Sequence, residues 1–130
     1  MTPIEKPPAE TVCLVDDDAS VLKSIGRLLA SDGFSVRAFD KPKKFLAFVQ
    51  TAPVPLVILD IWMEEMNGLE VQAQVAAISP GTRMIIITGR DDPSAKLTAL
   101  RHGVFAFFTK PFDGDKFLDA VRFAMAIPVQ

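Results

Sequence analysis

Residues 56–60 read Leu-Val-Ile-Leu-Asp, and this apolar run closed by one acid constrains the fold more than any other stretch. Four apolar residues behind Pro55 make a strand buried on both faces, of the kind found in parallel sheets. A carboxylate inside such a layer would lose its hydration, at a cost of roughly several kcal/mol or more. Asp60 therefore belongs at the carboxyl end of the strand, the edge where open α/β sheets place their sites.

The same layout recurs along the chain. Residues 11–15 form a second apolar run that ends in Asp16, Asp17 and Asp18. A helical pattern follows, with Val21, Leu22, Ile25, Leu28 and Leu29 on one face, started by Asp18 or Ser20 and ended by Gly33. Residues 34–39 read as a short strand, and Pro42 opens a helix carrying Phe45, Phe48 and Val49. After the Asp60 strand and a loop, Asn67 caps a helix with Glu70 three residues on, a variant of the capping box. The turn Ser79-Pro80-Gly81 closes it. Residues 84–87 are a strand ending in Thr88-Gly89. Asp92-Pro93 starts a helix over 93–102 with few large apolar residues, mainly Leu97 and Leu100, so it is expected to be only half buried, and Gly103 ends it. Residues 104–108 are expected as a fifth strand, leading into Thr109-Lys110-Pro111. Asp113 caps a last helix with Phe117, Leu118, Val121 and Met125. Strand and helix alternate five times, which means a parallel sheet covered by helices on both sides.

Composition closes off several classes. The chain has 130 residues, the size of one domain, and a formal charge of −2 that leaves no basic footprint for nucleic acid. Its single cysteine, Cys13, lies in an apolar run and reads as core packing. No apolar stretch approaches the ~20 residues of a membrane span. Residues 1–10 carry three prolines and no apolar stretch, so they are expected to be a loose arm and not a signal peptide. The expectation is a single cytoplasmic domain over residues 11–127.

Four of the five strands end in a polar or charged group: Asp16 with Asp17, Asp60, Thr88 and Lys110. In a parallel sheet these ends share one edge, so the groups converge. Singly each has an ordinary reading as a turn, a cap or a solvated loop residue, and Asp18 is read as a cap. Together they are harder to dismiss. Three close carboxylates raise one another's pKa unless a cation joins them. The ligands are all oxygens, which suits Mg²⁺ before Zn²⁺. A metal, an ammonium and a hydroxyl around one carboxylate form a site for a transferred phosphoryl group. Asp60 is then the nucleophile, forming an aspartyl phosphate.

Here the sequence resembles the receiver domains of bacterial two-component response regulators. The matching pieces are Leu-Val-Asp-Asp (14–17), Val-Ile-Leu-Asp (57–60), Met-Asn-Gly (66–68), Ile-Thr-Gly (87–89) and Phe-Phe-Thr-Lys-Pro-Phe (107–112). The resemblance covers about residues 11–127. The resemblance implies a three-layer, flavodoxin-like (βα)5 fold with strand order 2-1-3-4-5 and phosphoryl transfer to Asp60 from a sensor histidine kinase. It implies Mg²⁺ held by Asp16, Asp17, Asp60 and the backbone carbonyl of Trp62. Lys110 would pair with the phosphoryl oxygens, Thr88 would close on them, and the rotamer of Phe107 would report the state. The Lys110-Pro111 peptide would be cis. The surface of the fourth helix, fifth strand and fifth helix, with Leu97, Leu100, Arg101, Phe105 and Phe107, is the candidate face for a partner or for a homodimer formed on phosphorylation. Phe108 is read as core. The Ile-Thr-Gly-Arg-Asp stretch and the Lys-Pro-Phe ending look most like receivers that precede a DNA-binding helix-turn-helix output domain.

The chain departs from the family at one place. The family usually has proline four positions after the acceptor, in a Met-Pro pair, and this chain has Met63-Glu64. Losing that proline is expected to free the loop, and Glu64 with Glu65 adds acids that affect metal binding or slow phosphorylation. Trp62 and Arg90 flank the site where family members tune the lifetime of the acyl phosphate. Other classes fit worse. A flavodoxin needs a hydroxyl-rich phosphate loop after the first strand, a P-loop protein a Gly-rich loop ending in Lys-Ser/Thr. A dehalogenase-type phosphatase wants a second acid where Trp62 stands. The remaining alternative is a receiver fold serving as a phosphorylation-independent interaction module.

Overall fold

The computed structural model describes residues 11–126. The expected arm at 1–10 and the expected domain end at 127 lie outside the described residues. In chain order the elements are β1 (Thr11–Val15), α1 (Ala19–Ser31), β2 (Ser35–Phe39), α2 (Pro42–Val49), β3 (Leu56–Leu59) and α3 (Gly68–Ile78). They continue with β4 (Arg83–Thr88), α4 (Pro93–Arg101), β5 (Ala106–Thr109) and α5 (Gly114–Ala126). All strands are parallel, in the order β2-β1-β3-β4-β5.

The apolar runs explain which strands lie in the middle. Every residue of β3 is buried, and β1 and β4 are buried apart from their first residues, as strands covered on both faces must be. Side chains of alternating residues leave these strands in opposite directions and build two cores. Val15, Val57, Leu59, Met84 and Ile86 meet α2, α3 and α4 on one face. Leu14, Ile58, Ile85 and Ile87 meet α1 and α5 on the other. Cys13 is buried in the first core, and burial pushes its thiol up to about 11.

Side chains start four of the helices. The Asp18, Asn67, Asp92 and Asp113 carboxylate or amide oxygens accept backbone N–H groups of the first turns of α1, α3, α4 and α5. Two helices end in the same way. Gly33 and Gly103 have φ of 90° and 83°, a region open to glycine at little cost. The residue after each glycine then bonds back into its helix, Phe34 N–H to the Leu29 carbonyl and Val104 N–H to the Ala99 carbonyl.

That closure corrects two expected boundaries. Phe34 and Val104 read as strand from their apolar side chains, but their N–H groups serve the helix ends, so β2 starts at Ser35 and β5 at Ala106. Phe105 and Phe108 pack on the α1–α5 side and Phe107 on the other, each of them half-buried. Helix α4 is only half buried, as expected. It packs through Ala95 and Ala99, while Leu97 and Leu100 are 50% and 48% exposed.

Candidate functional site

Strand register brings the carboxyl ends level. Val15 pairs with Leu59 and Leu59 with Ile86, so Asp16 and Asp60 leave the sheet side by side. Asp16 N–H donates to the Phe39 carbonyl and Asp60 N–H to the Val15 carbonyl, which carries the ladder one step past the strands. Thr88 pairs with Thr109, and Lys110 N–H donates to the Thr88 carbonyl at 2.7 Å. These ends surround an open cleft of about 360 Å³ lined by Asp16, Asp17, Asp18, Asp60, Trp62, Gly89, Arg90 and Lys110.

Asp16 and Asp60 are nearly inaccessible, at 1% and 8% exposure, and Thr88 is at 1%. Burial is the main cause that raises both carboxyls above the ordinary range. For Asp16 the negative charges of Asp60 and Asp17 add to it, while the Asp18 N–H and Lys110 oppose it. For Asp60 the Trp62 N–H, Lys110 and the Thr88 hydroxyl oppose it. One oxygen is left over. Asp16 Oδ1 accepts the Asp18 N–H at 2.9 Å, but Asp16 Oδ2 is buried without a hydrogen-bond partner, and Lys110 Nζ stands 3.7 Å away, too far for one.

The expected gathering of three carboxylates is met only in part. Among the described residues no three acidic, histidine or cysteine groups are clustered tightly enough to hold a metal. Two of the three carboxylates accept hydrogen bonds from the loop after β3. Asp60 Oδ1 accepts the Trp62 N–H at 3.3 Å, and Asp17 Oδ2 accepts the Glu64 N–H at 3.0 Å. The donor set nevertheless fits a hard divalent cation. It consists of carboxylate oxygens, and the partnerless Asp16 oxygen is one that a cation or its bound water would satisfy.

The loop after β3 makes hydrogen bonds at both Glu64 and Glu65. Glu64 uses the N–H that a proline would lack, and its side chain is exposed. Glu65 Oε1 accepts the Lys43 N–H at 2.9 Å and so caps α2, whose own N-cap residue Lys41 makes no side-chain cap. Arg90 lies over the Trp62 ring at 4.3 Å, and the Trp62 indole nitrogen is buried without a partner. Arg90 N–H donates to the Thr88 hydroxyl oxygen at 3.2 Å, which leaves the hydroxyl proton free to point elsewhere. The Lys110-Pro111 peptide is cis, as expected. Phe107 is half-buried with Lys96 Nζ 5.8 Å from its ring.

Two residues that position the site went unread in the sequence. A Cβ on Gly68 would run into the Asp60 carbonyl oxygen and lie 2.7 Å from Ile61 Cα, so α3 can start this close to β3 only with glycine there. Gln72 on α3 is 1% exposed and donates from Nε2 to the Ala99 carbonyl of α4 at 3.1 Å. Their signals were a glycine right after a cap and a polar residue at a core position of a helix.

Residues 12–122 match the family model of the response regulator receiver domain. The chain belongs to that family. The receiver is 35% identical over 122 residues to the response regulator protein TodT of Pseudomonas putida, a match that covers 94% of this chain and 54% of TodT. It is 37% identical over 112 residues to the transcriptional regulatory protein GlrR of Escherichia coli, covering 86% of this chain and 25% of GlrR. The chain thus spans about half the length of the one relative and a quarter of the other. In three dimensions it resembles the crystal structure of FixJ-N with a TM-score of 0.85 at 29% identity, covering 92% of this chain and 96% of that one. A beryllofluoride-activated NtrC4 receiver domain dimer gives 0.84 at 25% identity, covering 89% and 96%.

Proposed function

We propose that this receiver takes a phosphoryl group on Asp60 from the phosphohistidine of a sensor kinase and passes the signal on through its α4–β5–α5 surface. The observation that carries the reading is the buried Asp16 oxygen without a partner beside Asp60, with Thr88 and Lys110 at the ends of the next two strands of the sheet. An Asp60 oxygen attacks phosphorus, an O–P bond forms as the N–P bond breaks, and the leaving imidazole takes up a proton. Lys110 supplies fixed positive charge for the phosphoryl oxygens, and Thr88 a hydroxyl proton. Asp16, Asp17, Asp60 and the Trp62 carbonyl would hold Mg²⁺, which when bound offsets charge developing on those oxygens.

The added group brings negative charge and acceptor oxygens. Thr88 moves toward them, and Phe107 turns into the space released. Leu97, Arg101 and Phe105 then present a changed face to a partner, to a second receiver or to an output domain. Transcriptional control is the proposed output, as the name of GlrR states for that protein, and a cytoplasmic location is proposed with it. Among the described residues no helix is long and apolar enough to cross a membrane.

Intact-mass measurement with Mg²⁺ and acetyl phosphate tests the acceptor. One phosphoryl adduct on wild type and none on Asp60→Asn is the expected result. No adduct on wild type, together with no Mg²⁺ binding, would return the chain to the phosphorylation-independent reading.

A further inference from the structure

Asp17 and Glu64 are 47 residues apart in sequence, yet the carboxylate of one holds the backbone N–H of the other at 3.0 Å. We infer that the Glu64 N–H competes with the cation for Asp17, so that residue 64 sets metal affinity through its backbone and not through its side-chain charge. This rests on the reading of Asp17 as a metal ligand given above.

Three observations support it. The Asp17 bond is charge-assisted, the stronger kind, and it engages one of the two oxygens of a carboxylate that lines the cleft, drawing on the negative charge a cation would use. The loop that offers the N–H is held in place from its far side, where Glu65 Oε1 caps α2 through Lys43. Asp17, Glu64 and Glu65 line a second hollow of about 200 Å³ beside the main cleft, so Asp17 stands on the boundary between the two. The Glu64 side chain itself is exposed, where water screens its charge. Proline at this position has no N–H, so it cannot compete.

Two substitutions separate backbone from side chain. Glu64→Ala removes the charge and keeps the N–H; Glu64→Pro removes both. Mg²⁺ dissociation constants follow from titration of Trp62 fluorescence, the single tryptophan and a wall of the cleft, with calorimetry as a check. Glu64→Pro should bind Mg²⁺ about ten-fold more tightly than Glu64→Ala, the scale of one charge-assisted hydrogen bond, while Glu64→Ala stays within about two-fold of wild type. In wild type, the Glu64 amide resonance should shift as Mg²⁺ saturates, and should shift likewise in metal-free Asp17→Asn. Equal affinities for the alanine and proline variants, or a Glu64 amide unmoved by saturating Mg²⁺, would overturn the inference and leave the phosphoacceptor reading standing. No Mg²⁺ binding by wild type or either variant would remove both.

Discussion

Helices α4 and α5 flank the same edge strand and are held to the sheet very differently. Helix α5 buries Phe117, Val121 and Ala124 completely, with the Phe117 ring 5.7 Å from that of Phe108 and 5.0 Å from that of Phe112. Its Arg122 forks onto both oxygens of Asp32 at the end of α1, at 2.7 and 2.6 Å. Helix α4 is well made within itself: Asp92 caps it and the Thr98 hydroxyl bonds back to Ser94. Its attachment, however, rests on two alanines and the Gln72 hydrogen bond. Local integrity and tertiary attachment are thus separate quantities, and α4 has the first with little of the second. A helix built so can shift as a unit at low cost, which is what a switch surface needs.

The sharpest break of this contrast is Phe117→Ala. It should destabilise the domain by roughly 3–5 kcal/mol in chemical denaturation, because it empties the centre of an aromatic cluster. Next comes Gln72→Leu, expected to cost about 1–2 kcal/mol through the Ala99 carbonyl it leaves poorly satisfied. Hydrogen exchange should then speed up in α4 and not in α5; uniform acceleration would mean the two helices open together and would erase the contrast. Arg122→Ala should lower the melting temperature at neutral pH by a smaller amount. Its hydrogen bonds to Asp32 hold that carboxyl below the ordinary range. The clasp therefore contributes fully above the ordinary carboxylate pKa and is lost as pH falls through the lowered one. The gap between variant and wild type should close in strong acid; a gap that persists there would assign Arg122 a packing role. Smallest is Leu97→Ala, within about 0.5 kcal/mol of wild type despite removing a leucine. A larger loss would show that α4 is covered in solution.

These same helices show what sequence could and could not tell. The continuous apolar runs of β1, β3 and β4 and the caps Asp18, Asn67, Asp92 and Asp113 were legible because each works through local chemistry. The orientation of α4 was not, since Ala95 and Ala99 carry little hydrophobic weight while Leu97 and Leu100 carry much. At the site, Asp16, Asp60, Thr88 and Lys110 were legible as strand ends; the structure brings Asp16, Asp60 and Lys110 to one cleft and buries Thr88 next to its lining residue Gly89. The Glu64 N–H was invisible for a simple reason: every residue but proline has one, and only the fold shows which of them meets a carboxylate. Gly68 was visible only as a motif letter until the Asp60 carbonyl was found where its side chain would be.

Lys110 hangs from Thr88 by one backbone hydrogen bond, and their strands are paired in register up to that point. The ammonium and the hydroxyl are therefore cargo on a common carriage. Any displacement of the β4 end is felt at Lys110 as well, and the reverse holds too. A shift of one backbone segment without the other must break that bond, and so is thinly populated. The two backbone segments are then expected to move together, and nuclear relaxation of the Thr88 and Lys110 amides should return a single shared exchange rate.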